Sequence, residues 1–333
     1  MKKILILIIA LAFNYTYAQQ NLVPNGSFED TVNCPSYANG FYINTAKYWF
    51  NPNTGTADYF NSCSTYFDTF QNRFFFSVPQ NYIGFQYAHT GNAYGGYVFT
   101  QNAPDSMNPN LPYAEYMQVK LLTPLQKNKI YEVKYYVSPS TNGYYSNSTG
   151  CYLSNTAISR IDFDVFPFTP QIQSNPNIFI SDTLNWIEVK GTYNAAGGEE
   201  YITIGNFKTY PTIKNIDDNG NQIPFSNFYH YVDDVSIIEV NENNIINELI
   251  TPNGDGLNDY LKINANDLLL VDFQIQIFNR WGSEVFNSKD LNFVWDGKYK
   301  NEKLPSSTYF ILITGYTNAH ENFIYKNYVQ LLY

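Results

Sequence analysis

Charge is scarce in this chain: Asp, Glu, Lys and Arg together make up only 14% of 333 residues. Histidine is scarcer, limited to His89, His230 and His320, and no two of them are spaced as zinc ligands are. No serine occupies a nucleophile elbow, no Gly-rich loop leads into Lys-Ser or Lys-Thr, and no His-Glu-x-x-His run occurs. These absences argue against triad hydrolysis, phosphate-loop chemistry and zinc proteolysis. With 19 basic residues against 29 acidic ones, the formal charge is −10. Such a chain does not neutralise a phosphate backbone, so nucleic acid is not expected as a partner.

Long apolar runs are also missing beyond Ile4–Phe13, which is too short to span a bilayer as a lasting helix. Lys2-Lys3 precede that run, and Thr16-Tyr-Ala18 ends the stretch after it, so residues 1–18 read as a secretory signal peptide. No Cys follows the cleavage point, which argues against a lipid anchor, and no integral membrane segment is expected after cleavage. Cysteine is limited to Cys34, Cys63 and Cys151. In a secreted chain this predicts one disulfide and one leftover thiol. Cys34 and Cys63 bracket one loop-rich segment and are the expected pair; three free thiols are the alternative.

Aromatics, by contrast, reach 18%, with 31 Tyr and 25 Phe. Together with abundant Asn, this suits a strand-rich extracellular protein that covers itself with hydroxyls and amides. Alternating segments at Tyr113–Leu122, Lys129–Val137, Arg160–Phe166, Trp186–Lys190, Glu200–Gly205 and Tyr229–Ile238 read as strands, with no convincing helix among them. The pattern predicts a two-sheet antiparallel sandwich over 19–240. A linker is expected over 241–247, and a second, smaller unit over 248–333.

That second unit carries Asn253-Gly-Asp-Gly-Leu-Asn-Asp259, Ile277-Phe-Asn-Arg-Trp-Gly282, Val285-Phe286, Trp295-Asp-Gly297 and Leu304-Pro with Thr308-Tyr-Phe310. In this order the five motifs resemble the gliding-motility-associated C-terminal domain of Bacteroidetes, the sorting domain of type IX secretion. The resemblance implies a small immunoglobulin-like all-β domain, export by the type IX outer-membrane machinery, and a secreted or cell-surface location. Its motif residues here are Asn253, Asp255, Asn258, Asp259, Arg280, Trp281, Gly282, Trp295, Asp296 and Gly297, with Trp281 and Trp295 expected to pin turns. Asn253, Asp255, Asn258 and Asp259 match part of a calcium loop, but the bidentate Glu is missing; Asn and Asp bonding their own turn backbone explain the run without a metal.

The first unit opens with Pro24-Asn-Gly-Ser-Phe-Glu29 and closes with Val232-Asp-Asp-Val235. With Cys34, Trp49, Asp58-Tyr-Phe-Asn61, Cys63 and Tyr94-Gly-Gly96 between them, these resemble jelly-roll modules of secreted Bacteroidetes proteins. More distantly they resemble carbohydrate-binding, galactose-binding-like modules. In such modules the first and last strands lie side by side, and an acidic residue from each helps to hold a structural calcium ion. The resemblance therefore implies a site of Glu29 with Asp233 or Asp234, the alternative being that the aspartates cap a sheet edge.

Asp162 and Asp164 share one face of an expected strand, as a hydrolytic carboxylate pair would, yet surface aspartates breaking up an edge strand explain them as well. His230, between Tyr229 and Tyr231, reads as a structural aromatic. For ligand binding, Trp49, Tyr59, Tyr144 and Tyr145 fall in or near loops rich in Asn, Asp and Ser. Rings stack on the C–H faces of sugars while amides bond their hydroxyls. The reading is a non-enzymatic exported protein whose sandwich binds a neutral glycan. The rival is a protein-binding accessory of the gliding or adhesion machinery.

Overall fold

A computed structural model of the chain describes residues 20–100, 113–141, 144–209, 214–222, 227–240, 245–263, 270–316 and 322–333. The expected signal peptide at 1–18, most of the expected linker (241–244) and His320 lie outside the described residues.

Among the described residues the only helix is a short 3-10 turn at Ile43–Thr45. The strands of the first unit are β1 (Trp49–Phe50), β2 (Asp58–Asn61), β3 (Phe67–Asp68), β4 (Arg73–Phe74), β5 (Ala93–Thr100), β6 (Tyr113–Ala114), β7 (Tyr116–Lys120) and β8 (Ile130–Pro139). They continue as β9 (Tyr144–Ser146), β10 (Gly150–Ser154), β11 (Ile172–Gln173), β12 (Ile187–Asn194), β13 (Tyr201–Gly205), β14 (Asn215–Asp217) and β15 (Asn227–Glu239). One sheet runs β1-β7-β13-β10-β11 and the other β12-β8-β15-β5-β2, all antiparallel. Alternation explains why they face each other. Tyr131, Val133, Tyr135 and Val137 of β8 turn inward and meet Met117, Val119, Leu153, Ile202 and Ile204 of the opposite sheet in one buried core.

One expected element comes out differently. Arg160–Phe166 alternates in sequence yet forms no strand. Asp162 instead pairs bidentately with Arg160 (2.7–3.1 Å) and accepts the N–H of Asp164, while Ile161 stands 94% exposed. A local side-chain-to-backbone turn has displaced the ladder, and Asp162 is committed to its arginine rather than to a hydrolytic pair. Strands β12 and β13 flank the Ala195–Gly198 turn but belong to opposite sheets, so the turn crosses the sandwich edge.

The outer face of the β15-β5-β2 region is also covered. Phe60, Tyr94, Tyr229 and Tyr231 project there and are buried under Phe41, Phe75, Phe76 and Tyr82, contributed by the segments around 41 and 75–82. Cys34 and Cys63 are disulfide-bonded beside this cap, with Cα atoms 5.7 Å apart; Cys151 is free and buried.

The second unit contains β16 (Leu249–Ile250), β17 (Val271–Phe278), β18 (Glu284–Ser288), β19 (Lys298–Tyr299), β20 (Glu302–Lys303), β21 (Ser307–Tyr316) and β22 (Asn322–Leu331). Its sheet runs β16-β22-β21-β17-β18, parallel only between β16 and β22. Ile275, Ile277, Trp295, Tyr309, Ile311, Ile313 and Val329 form a separate core, which Ile130 and Val240 of the first unit join at its edge.

Candidate functional site

The N-terminal segment runs beside the last long strand of the sandwich. Leu22 donates its N–H to Ile237 O (2.8 Å), Asn21 brackets Val235 O and Ile237 N (both 3.0 Å), and Val235 N reaches Gly26 O (2.9 Å). Opposite, β15 bulges between Asp233 and Ser236, and Asp234 takes a left-handed φ of 49°. A bulge re-aims side chains, and here it sends both aspartates toward one turn, residues 89–93.

Three carboxylates meet that turn. Asp233 Oδ2 accepts the N–H groups of His89 (2.9 Å) and Thr90 (3.3 Å), and Oδ1 accepts that of Asp234 (2.7 Å). Asp234 takes His89 Nδ1 at 2.5 Å and the Thr90 hydroxyl at 2.7 Å. Glu29 Oε1 accepts the N–H groups of Asn92 (2.7 Å) and Ala93 (2.9 Å). Glycine suits position 91: its φ is 66°, and a Cβ there would lie 2.3 Å from Glu29 Oε1 and displace that carboxylate. Burial, and Asp234 beside it, push the Asp233 carboxyl up to about 9. The acidic residues expected to share a calcium ion thus converge as hydrogen-bond acceptors on one backbone turn. Among the described residues no group of three or more His, Cys, Asp or Glu side chains is spaced to hold a metal. The three carboxylates hold the turn through its backbone amides, the His89 ring and the Thr90 hydroxyl.

Next to this junction lies a groove of about 670 Å³, lined by Asn21, Asn25, Ser27, Thr90 and Ser236 with His89, Lys134, Tyr136 and Asp234. The His89 ring stacks on Tyr136 (centroids 3.7 Å, 17°), and Tyr136 donates its hydroxyl to Glu188 at 3.1 Å. Ser236 Oγ is buried without a hydrogen-bond partner. The groove therefore combines aromatic rings with amides and hydroxyls. A second cleft, of about 490 Å³ beside β11 and β12, is lined by Gln173, Asn175, Glu188, Lys190 and Lys208 among others, with no aromatic ring.

The four rings expected to bind ligand separate into two kinds. Trp49 is 2% exposed, stacks on Phe28 (4.7 Å) and donates Nε1 to Asn25 O; Tyr59 is fully buried with its hydroxyl on Phe28 O (2.9 Å). Neither can meet a solute, because both belong to the core that anchors the N-terminal segment. Tyr145 is 8% exposed and bonded to Asp218 at 2.8 Å, whereas Tyr144 keeps 45% of its surface. Sequence reasoning missed His89 and Tyr136, because nothing local marks a ring on β8 as facing a groove rather than a core. His230 is wholly buried between Tyr97 and Phe228, and burial lowers it to about 3. It stays neutral at physiological pH, which suits a structural ring rather than a base.

In the second unit Asp259 organises its turn. Oδ1 accepts the N–H groups of Asn253 (3.0 Å) and Gly254 (2.7 Å), and Oδ2 accepts that of Gly256 (2.8 Å), which holds the Asp259 carboxyl below its ordinary range. Asp255 bonds Leu257 N (2.7 Å), and Thr251 N closes on Asn258 O (2.8 Å). Trp295 is 1% exposed, lies edge-on to Tyr309 (5.5 Å) and donates Nε1 to Lys298 O; Asp296 pairs with Lys298, and Gly297 packs on Leu331. Trp281 does not pin its turn: it stands 80% exposed, with the Arg280 guanidinium 5.6 Å from its ring.

No curated protein matches the chain. Among solved structures, the CBM22-1 xylan-binding domain of Xyn10C from Paenibacillus barcinonensis is 10% identical, with 67% of this chain and 96% of that one covered at a TM-score of 0.31. The K1 cleaved adhesin domain of Lys-gingipain from Porphyromonas gingivalis W83 is 11% identical, covering 59% and 92% at 0.28. The adhesin domain of Epf from Streptococcus pyogenes is 9% identical, covering 72% and 76% at 0.25. Likeness at this level carries nothing about ligands. Residues 244–331, however, match the CHU_C type IX secretion signal domain. The five motifs, the Asp259-centred turn and the separate core thus belong to a type IX secretion signal domain, which implies export to the cell surface or secretion.

Proposed function

We propose that the protein is non-enzymatic and that, once exported, its sandwich binds a neutral glycan in the groove between the N-terminal segment and the β15 bulge. The observation that supports this reading is the groove's composition: the His89–Tyr136 stack beside Asn21, Asn25, Ser27 and Thr90. Such a lining offers ring surface and amide hydrogen bonds, the chemistry that distinguishes a sugar from a lipid or a phosphate. Affinity electrophoresis of the full chain through gels cast with neutral polysaccharides tests it. Retardation by at least one polysaccharide is expected, lost in Tyr136→Ala and in His89→Ala with the melting temperature little changed. Equal mobility of wild type and both variants in every gel would contradict it.

A second reading, protein binding in a surface adhesion or gliding assembly, is favoured by one feature. The β3–β4 hairpin pairs Phe67 with Phe74 (5.2 Å) and presents Phe70, 99% exposed, at a tip fixed by Asp68 Oδ1 on Phe70 N and Gln71 N. Phe70→Ser would leave glycan retardation intact and abolish surface adhesion if this reading holds.

A further inference from the structure

The signal-domain sheet is covered on one face only. Ile275, Ile277, Tyr309, Ile311, Ile313 and Val329 point into its core. On the opposite face the registers Phe278↔Phe310 and Phe310↔Tyr328 place aromatic residues at neighbouring positions across β17, β21 and β22. Phe310 is 51% exposed and Tyr328 43%. A solvated antiparallel face is ordinarily polar, and a displayed aromatic row marks an interaction surface.

The turn after Phe278 displays a further ring at the end of β17. Asn279 Oδ1 accepts the N–H groups of Trp281 (2.9 Å) and Ser283 (3.0 Å), Gly282 N returns to Asn279 O (2.9 Å), and Gly282 holds the left-handed φ of 79° that closes the turn. Trp281 is therefore displayed by a fixed turn. Arg280 lies over its ring, and Lys326 sits two residues before Tyr328 on the same face of β22. Neither cation forms an ion pair among the described residues. The nearby Glu284 is engaged by Gln276 Nε2 at 2.6 Å.

We propose that Trp281, Phe310 and Tyr328, rimmed by Arg280 and Lys326, are the surface by which the signal domain docks on a protein of the type IX export machinery. The receiving surface is an apolar patch edged with carboxylates. This rests on residues 244–331 being the export signal: a signal domain is bound by the machinery that exports it, and this face has the make-up of a binding hot spot, aromatic and arginine-bearing. A second copy suits the face less well. Along the rows Phe278–Phe310–Tyr328, Gln276–Leu312–Lys326 and Gln274–Thr314–Ile324 the only acidic side chain is Glu284, opposite Phe278. It is held by Gln276 and Asn287, so a second copy offers no unengaged carboxylate there to receive the two cations.

The test compares secretion by the producing cell of the full chain, Trp281→Ala, the double variant Phe310→Ser with Tyr328→Ser, the double variant Arg280→Glu with Lys326→Glu, and a truncation lacking 244–333. Each substituted protein is expected to fall about tenfold or more outside the cell and to accumulate inside it, at an unchanged melting temperature, while Phe310→Tyr is exported normally. If the serine variants fail to fold, the charge-reversed pair decides. Normal export of the folded variants with retention of the truncation would overturn the docking surface and leave the signal assignment standing. Normal export of the truncation would overturn both. Self-association of the purified protein, lost in the variants while export continues, would give the face to a second copy and overturn the proposal.

Discussion

Single side chains decide most of what the first unit can do. Asp233 is the clearest case, buried with its carboxyl raised to about 9. A carboxyl raised on folding contributes stability that is fully present below its unfolded value near 4 and is lost as pH rises through the folded value. Wild-type stability is therefore expected to decline from about pH 4 toward pH 9, and Asp233→Asn to flatten that decline in denaturant titrations across the range. An identical slope in the variant would show that Asp233 ionises in the fold without cost. Trp49 and Tyr59 give a second expectation. As core rings, each is expected to cost about 3–5 kcal/mol when cut to alanine, read as a shifted urea midpoint. Unchanged midpoints would return them to the surface.

Strands were legible in the sequence where every inward position is apolar. Tyr131, Val133, Tyr135 and Val137 announce β8, and the five C-terminal motifs announce the second unit. Arg160–Phe166 alternated just as cleanly and is not a strand, because Arg160 and Asp162 satisfy each other and the local backbone. Nor could aromatic content tell a ligand platform from a core, since the segments around 41 and 75–82 fold back over an outer sheet face and bury rings there. That depends on contacts distant in sequence. Closing the 29-residue span between Cys34 and Cys63 constrains part of this region. Its reduction is expected to cost about 3 kcal/mol, checked by melting with and without reductant. An unchanged melting temperature would mean the cap holds by packing alone.

Taken whole, the chain is a sandwich with an exported address and a formal charge of −10. Glu29, Asp233 and Asp234 are engaged at the junction with residues 89–93 by backbone amides, the His89 ring and the Thr90 hydroxyl, so excess chelator is expected to leave the melting temperature of the full chain unchanged. A fall on chelation, restored by calcium and absent in Glu29→Ala, would establish the ion that the sequence resemblance implied. The hydrogen bonds in the groove beside that junction exchange with those to water, so weak single-site binding is expected. The most direct measurement is calorimetric titration of the purified secreted protein with soluble oligosaccharides from neutral and from acidic polysaccharides. The account predicts saturable binding to at least one neutral oligosaccharide, abolished in Tyr136→Ala. Binding confined to acidic oligosaccharides, or binding to a neutral one that Tyr136→Ala leaves untouched, would contradict it.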